Sequence, residues 1–269
     1  MPGEMPRLGL GTYQQTDRET CIESVRRALE LGYRHVDTAQ SYGNEAYVGE
    51  GLRRADVDRE EVFLATKLAT GNLAYDDVVG TTEESIERLG VEQVDLMYVH
   101  WPLDAYDPEE TLPALDEIRE RGLARHVGVS NFEPRQLAEA REVMESPIFA
   151  HQVECHALLQ QEELLADARE HDHWLVAYSP LARGEIFDHP AVAAVADRHD
   201  ATPARVCLAW LLAHENVAAI PKATGAHVEE NYGALGLSLD PEDVERIDAI
   251  EEEHRVVDFD AAPWHASAD

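Results

Sequence analysis

Val62-Phe-Leu-Ala-Thr-Lys-Leu68, residues 76–89 and Val94-Asp-Leu-Met-Tyr-Val-His100 follow one another closely along the chain. The two outer runs are short, apolar and almost free of internal charge. That pattern suits strands buried on both faces of a parallel sheet. Between them Val79, Ile86 and Leu89 recur at helical spacing, and Gly90 ends the pattern. Strand, helix, strand is the unit that joins parallel neighbours.

The same unit repeats in both directions. Strand-like runs occupy 34–38, 126–130, 149–154, 174–179 and 217–221, with a weaker one at 234–239. Thr16 or Asp17 can cap a helix carrying Ile22, Val25 and Leu29 and stopped at Gly32. Further helical faces fall at 45–54, at Leu112, Leu115 and Ile118, at Leu137 and Ala140, at Leu164 and Ala168, at 203–213 and after Pro241. Eight strands alternating with helices over about 250 residues is the signature of an α/β protein, a (β/α)8 TIM barrel. We expect one domain over 1–269. Its C-terminal tail, from about residue 255, is expected to lie over the active-site face.

Composition narrows the partners. The chain carries 54 acidic and 22 basic residues, a net charge of −32. Nucleic acid and anionic membrane surfaces both call for a basic footprint and are excluded as partners. The acidity runs through the whole length and comes with apolar runs, unlike a disordered acidic tail. It points to a protein adapted to a very salty cytoplasm. Cys21, Cys155 and Cys207 are odd in number and widely spaced, which fits a reducing compartment. The N-terminus shows no secretory leader, and no run has membrane-spanning length. We expect a cytoplasmic monomer.

Only Lys67 and Lys222 are lysine; every other basic residue is arginine. Both end strand-like runs. In a barrel, chemistry gathers at the C-terminal ends of the strands. Those ends read Asp37, Lys67, His100, Ser130-Asn131, Gln152, Tyr178-Ser179 and Lys222, with Tyr42 in the first loop. A phenol with a pKa of about 10 is a poor acid at neutral pH. A lysine ammonium held by Asp37 would lower it, and His100 could orient a carbonyl oxygen. Together these make a proton donor for a carbonyl receiving hydride. Singly, each has a plainer reading: core tyrosine, structural ion pair, capping histidine.

The residues also resemble a family. Gly32-Tyr-Arg-His-Val-Asp-Thr-Ala39 with Glu45-x-x-Val-Gly49, then Thr66-Lys67, Val99-His-Trp-Pro102, Gly128-Val-Ser-Asn-Phe132, His151-Gln-Val-Glu154, Ala177-Tyr-Ser-Pro-Leu181 and Ile220-Pro-Lys222, are similar to aldo-keto reductase motifs in that family's order. The resemblance implies NAD(P)H-dependent reduction of aldehydes and ketones. Tyr42 would be the general acid, with Asp37, Lys67 and His100. Ser130, Asn131 and Gln152 would hold the nicotinamide carboxamide, Tyr178 would stack on its ring, and Thr12 would line that end. Ser179 and Leu181 would meet the pyrophosphate. Lys222 and Thr224 would face a 2′-phosphate, and Glu230 and Asn231 the adenine. His227 stands where the family usually has an arginine for that phosphate, and Ala223 where it has a serine. NADP is therefore the expected cofactor, with NAD the alternative. Trp101, Cys155 and Trp264 are expected to contact a small carbonyl substrate.

Rival readings remain. A binding relative could keep these residues and serve as a nucleotide-holding redox sensor with negligible turnover. Gly9-Leu-Gly11-Thr-Tyr-Gln14 starts like a dinucleotide fingerprint but lacks the third glycine and a preceding strand. His171-x-His173 reads as solvated surface, and no metal site is expected.

Overall fold

The computed structural model describes residues 4–265. Residues 1–3, and 266–269 of the tail, lie outside the described residues. Eight parallel strands run in the order β1 (Leu10–Gly11), β2 (His35–Asp37), β3 (Phe63–Leu68), β4 (Val94–Val99), β5 (Ala124–Ser130), β6 (Ala150–Glu154), β7 (Trp174–Tyr178) and β8 (Val217–Ala219). Each pairs with the next. The circle closes where Leu8 bridges Ala219 and Gly11 bridges Lys222, both parallel. This is the (β/α)8 barrel.

The helices sit where the punctuation asks. α1 (Arg18–Leu31) is capped by Asp17, whose carboxylate accepts from Thr20 N, and stops at Gly32 with φ 111°. α2 (Glu45–Arg54) follows β2, and α3 (Tyr75–Leu89) ends at Gly90 with φ 68°. α4 (Pro108–Glu120), α5 (Pro134–Val143) and α6 (Glu162–Glu170) fill the next intervals. α7 (Pro190–His199) and α8 (Pro203–Ala213) both lie between β7 and β8, and α9 (Ala226–Tyr232) and α10 (Pro241–Asp248) follow. One apolar core fills the layer between strands and helices. A second, with Phe63, Leu96, Tyr98, Phe149 and Val176, fills the barrel itself.

Two elements differ from the sequence reading. The run at 234–239 is no strand: residues Gly233–Gly236 form a 3-10 turn. The missing strand is β1, two residues long and too short for any periodicity to show. Its Gly-x-Gly is a closure device and no phosphate loop. A Cβ on Gly11 would lie 2.6 Å from the Ile220 carbonyl oxygen, so only glycine lets the first strand reach the last. His173 is buried, against expectation. Burial lowers its pKa to about 4. It favours the folded state above the usual histidine range, and that contribution is lost as pH falls from about 6.5 towards 4. His171 is exposed. Among the described residues no helix could cross a membrane and no cluster of side chains could hold a metal.

Candidate active site

The strand ends open into a cleft of about 850 Å³. Asp37, Tyr42, His100, Trp101, Ser130, Asn131, Gln152, Tyr178, Ser179, Leu181, Lys222, Thr224, His227, Glu230 and Asn231 all line it.

Asp37, the last residue of β2, and Lys67, on β3, are fully buried and paired. Lys67 Nζ also donates to Thr38 O at 2.8 Å, and Gln152 Nε2 donates to the second Asp37 oxygen at 2.9 Å. Lys67 lies below the cleft and does not line it; its ammonium is 5.1 Å from the Tyr42 ring centre. The Tyr42 ring rests edge-on against His100 at 5.7 Å and tilted against Tyr13 at 5.2 Å.

The electrostatics correct one expectation. The tyrosine pKa is not lowered by lysine. Among the described residues Lys67 has no hydrogen bond to the Tyr42 hydroxyl, and burial, followed by the Asp37 charge, holds that phenol well above its usual value. Tyr42 therefore keeps its proton through the neutral range. His100 is pushed down to about 3, first by burial and then by Lys67, so it is a neutral ring. Ser41 Oγ lies 3.3 Å from its Nδ1. With Ser41 donating there, the ring carries its proton on Nε2 and can donate to an oxygen.

Removing one member of the buried pair should be severe. Lys67→Met leaves Asp37 buried without its cation and is expected to lower unfolding free energy by about 3–5 kcal/mol. Asp37→Asn in the same chain should restore part of that. Denaturant melts of the wild type, the single variant and the double variant check it, and an unchanged midpoint in Lys67→Met overturns it.

Asn131 is held in the left-handed region, φ 63°. Its amide donates to His100 O and Ser130 Oγ, both at 3.0 Å, while its oxygen accepts from Tyr178 OH at 2.9 Å. These bonds fix Tyr178 as one wall. At the far end Lys222 is exposed and free of ion pairs among the described residues. His227 is not free: its Nδ1 lies 3.0 Å from Glu230 Oε2.

Three sequence-predicted residues do not line the cleft. Thr12 is buried beside it, its hydroxyl donating to Asp37 O at 3.0 Å, and Gly11, Tyr13 and Gln14 line that end instead. Cys155 turns into the core, its thiol 3.6 Å from Gln160 O and raised by burial to about 12. Trp264 stands behind the wall, 5.8 Å from the Trp101 ring, with the Arg255 guanidinium 3.8 Å from its own. Sequence reading missed Val257, Phe187 and Arg183, which line the cleft. They sit in irregular segments, and only Arg183 carried a signal, as a cation four residues after Ser179 in a cation-poor chain.

A profile of the Aldo/keto reductase family matches residues 7–252. The chain belongs to the aldo-keto reductase family. This aldo-keto reductase is 38% identical over 257 residues to the methylglyoxal reductase DkgB of Escherichia coli O157:H7, covering 94% of this chain and 96% of that one. It is 36% identical over 255 residues to the glyoxal reductase of Bacillus subtilis strain 168, covering 94% and 91%. Its barrel matches the crystal structure of a Bombyx mori aldo-keto reductase in complex with NADP. The TM-score there is 0.89 at 31% identity, over 95% of this chain and 92% of that one. The protein is thus an oxidoreductase of a family that uses nicotinamide cofactors.

Proposed function

We propose that the chain reduces small aldehydes and α-ketoaldehydes to alcohols with NADPH, Tyr42 giving the proton. The observation that carries this reading is the buried Asp37–Lys67 pair beneath a protonated Tyr42 and a neutral His100, at one end of a long cleft.

The residues present fit a nicotinamide dinucleotide. Ser130, Asn131 and Gln152 would hold its carboxamide and Tyr178 would back its ring, with Ser179 and Leu181 beside the diphosphate. Arg183 and Lys222 have no carboxylate partner among the described residues, although most arginines of this acidic chain do. Two free cations facing one cleft suit a polyphosphate ligand. Thr224 would stand beside the 2′-phosphate, and Glu230 and Asn231 beside the adenine. When bound, the cofactor supplies a hydride. The His100 Nε2–H would hold the carbonyl oxygen and Tyr42 would protonate it, while the Lys67–Asp37 pair forms the fixed floor beneath the Tyr42 ring. The two curated reductases make methylglyoxal and glyoxal the first substrates to try. We take the working unit to be one barrel acting as a monomer.

The test is nicotinamide oxidation in high-salt buffer with methylglyoxal, NADPH beside NADH. Turnover favouring NADPH supports the reading. Tight nucleotide binding with no turnover overturns it in favour of a sensor. Lys222→Ala should weaken NADPH binding by about tenfold, the loss of one exposed charge-assisted bond, and leave NADH within about twofold. Fluorescence titration measures both; equal losses would move Lys222 away from the 2′-phosphate.

A further inference from the structure

Glu154 is the last residue of β6, two positions beyond Gln152, and it is fully buried. The reaction has no use for it. One carboxylate oxygen accepts from Val256 N at 2.6 Å, and the other from Val257 N at 2.8 Å. His156, equally buried, brings Nε2 to 2.8 Å from the first oxygen. A buried carboxylate needs such partners, and here two of the three come from backbone more than a hundred residues away.

Those two amides belong to the strap that follows α10. The strap reaches the barrel where His254 N donates to Leu158 O at 2.7 Å, and the Glu154 clasp follows at once. Val257, pinned by its N–H, lines the cleft. Beyond it the Phe259 and Trp264 rings both pack on Trp101, at 5.0 Å and 5.8 Å respectively, and Trp101 itself lines the cleft beside His100. The clasp thus lies between the strap's entry point and the aromatic wall it builds.

We propose that Glu154 is a positioning residue: its carboxylate clasps the strap and so sets the substrate wall formed by Val257 and Trp101. Glu154 touches neither cleft nor reacting atoms, and it acts only through residues 256 and 257. The kinetic part rests on the reductase reading above; the structural part does not.

Glu154→Gln keeps the shape but offers an N–H where an amide N–H must be accepted. Hydrogen exchange followed by mass spectrometry reads peptides covering 254–258 in the full chain. Trypsin cleavage after Arg255 reads the same event, with cleavage at exposed Arg18 as the internal reference. We expect exchange and cleavage at the strap to rise about tenfold or more, as for loss of a charge-assisted bond. The KM for methylglyoxal should rise about fivefold or more, while the NADPH Kd stays within about twofold. Glu154→Asp, which keeps the charge, should fall between wild type and Glu154→Gln, and it covers the case in which the amide variant fails to fold. Unchanged strap protection in the folded variants overturns the clasp. A loosened strap with unchanged KM overturns the positioning role. An inactive wild type would sink the reductase reading and leave the exchange result to judge the clasp.

Discussion

Tyr42→Phe should lower the turnover number for carbonyl reduction by about 10²–10⁴-fold, the range lost with a positioned proton donor. The ring remains, so its contacts with Tyr13 and His100 remain, and the NADPH Kd should stay within about twofold. The electrostatics sharpen the expectation. Burial and Asp37 keep the Tyr42 phenol protonated well past its usual range, and His100, held down to about 3, stays neutral. Neither group changes charge between about pH 5 and 8, so wild-type turnover should be flat across that window. Stopped-flow single turnovers with methylglyoxal separate chemistry from product release. A Tyr42→Phe rate within about tenfold of wild type would remove the general-acid role. Loss of nucleotide binding with the fold intact would move Tyr42 into the binding site.

Much of this site could be read from the sequence, because barrel chemistry sits where strands end and strands β2 to β8 announce themselves by apolar runs. Asp37, Lys67 and Gln152 come from three strands, yet their contact follows once the strand order is known. What stayed hidden lacks periodicity. β1 is defined by the closeness of Gly11 to the Ile220 carbonyl, a three-dimensional fact. Cys155 lies just past the end of β6, where strand alternation no longer sets its direction, and it packs into the core with its thiol toward Gln160 O. The sign of the Tyr42 shift also needed coordinates. A lysine nearby lowers a phenol's pKa only if it is not already spent elsewhere, and Lys67 is spent on Asp37 and Thr38. The strap could be guessed from Pro263 and Trp264, but its anchor is backbone N–H, which no residue type reveals.

Thermal stability should rise steeply with potassium chloride, by about 10 °C between about 20 mM and 2 M, equivalent to about 3–5 kcal/mol. Two salt effects oppose each other. Screening weakens the many exposed Arg–carboxylate pairs, such as Arg26 with Glu23 and Glu30, or Arg198 with Asp240. Each exposed pair contributes only about 0–1 kcal/mol, so little is lost. Screening also weakens repulsion among the unpaired acids. With 54 acidic and 22 basic residues, pairing cannot neutralise the surface, and −32 charges repel one another over distances that shrink from about 30 Å at 0.01 M to about 3 Å at 1 M. The second effect is the larger because it sums over all pairs of like charges, whereas each ion pair counts once. Circular dichroism melts in potassium chloride, with sucrose as the uncharged control, distinguish screening from solute exclusion. A melting point indifferent to chloride would show that the acidic excess is no adaptation to salt, and equal gains in sucrose would assign the effect to exclusion.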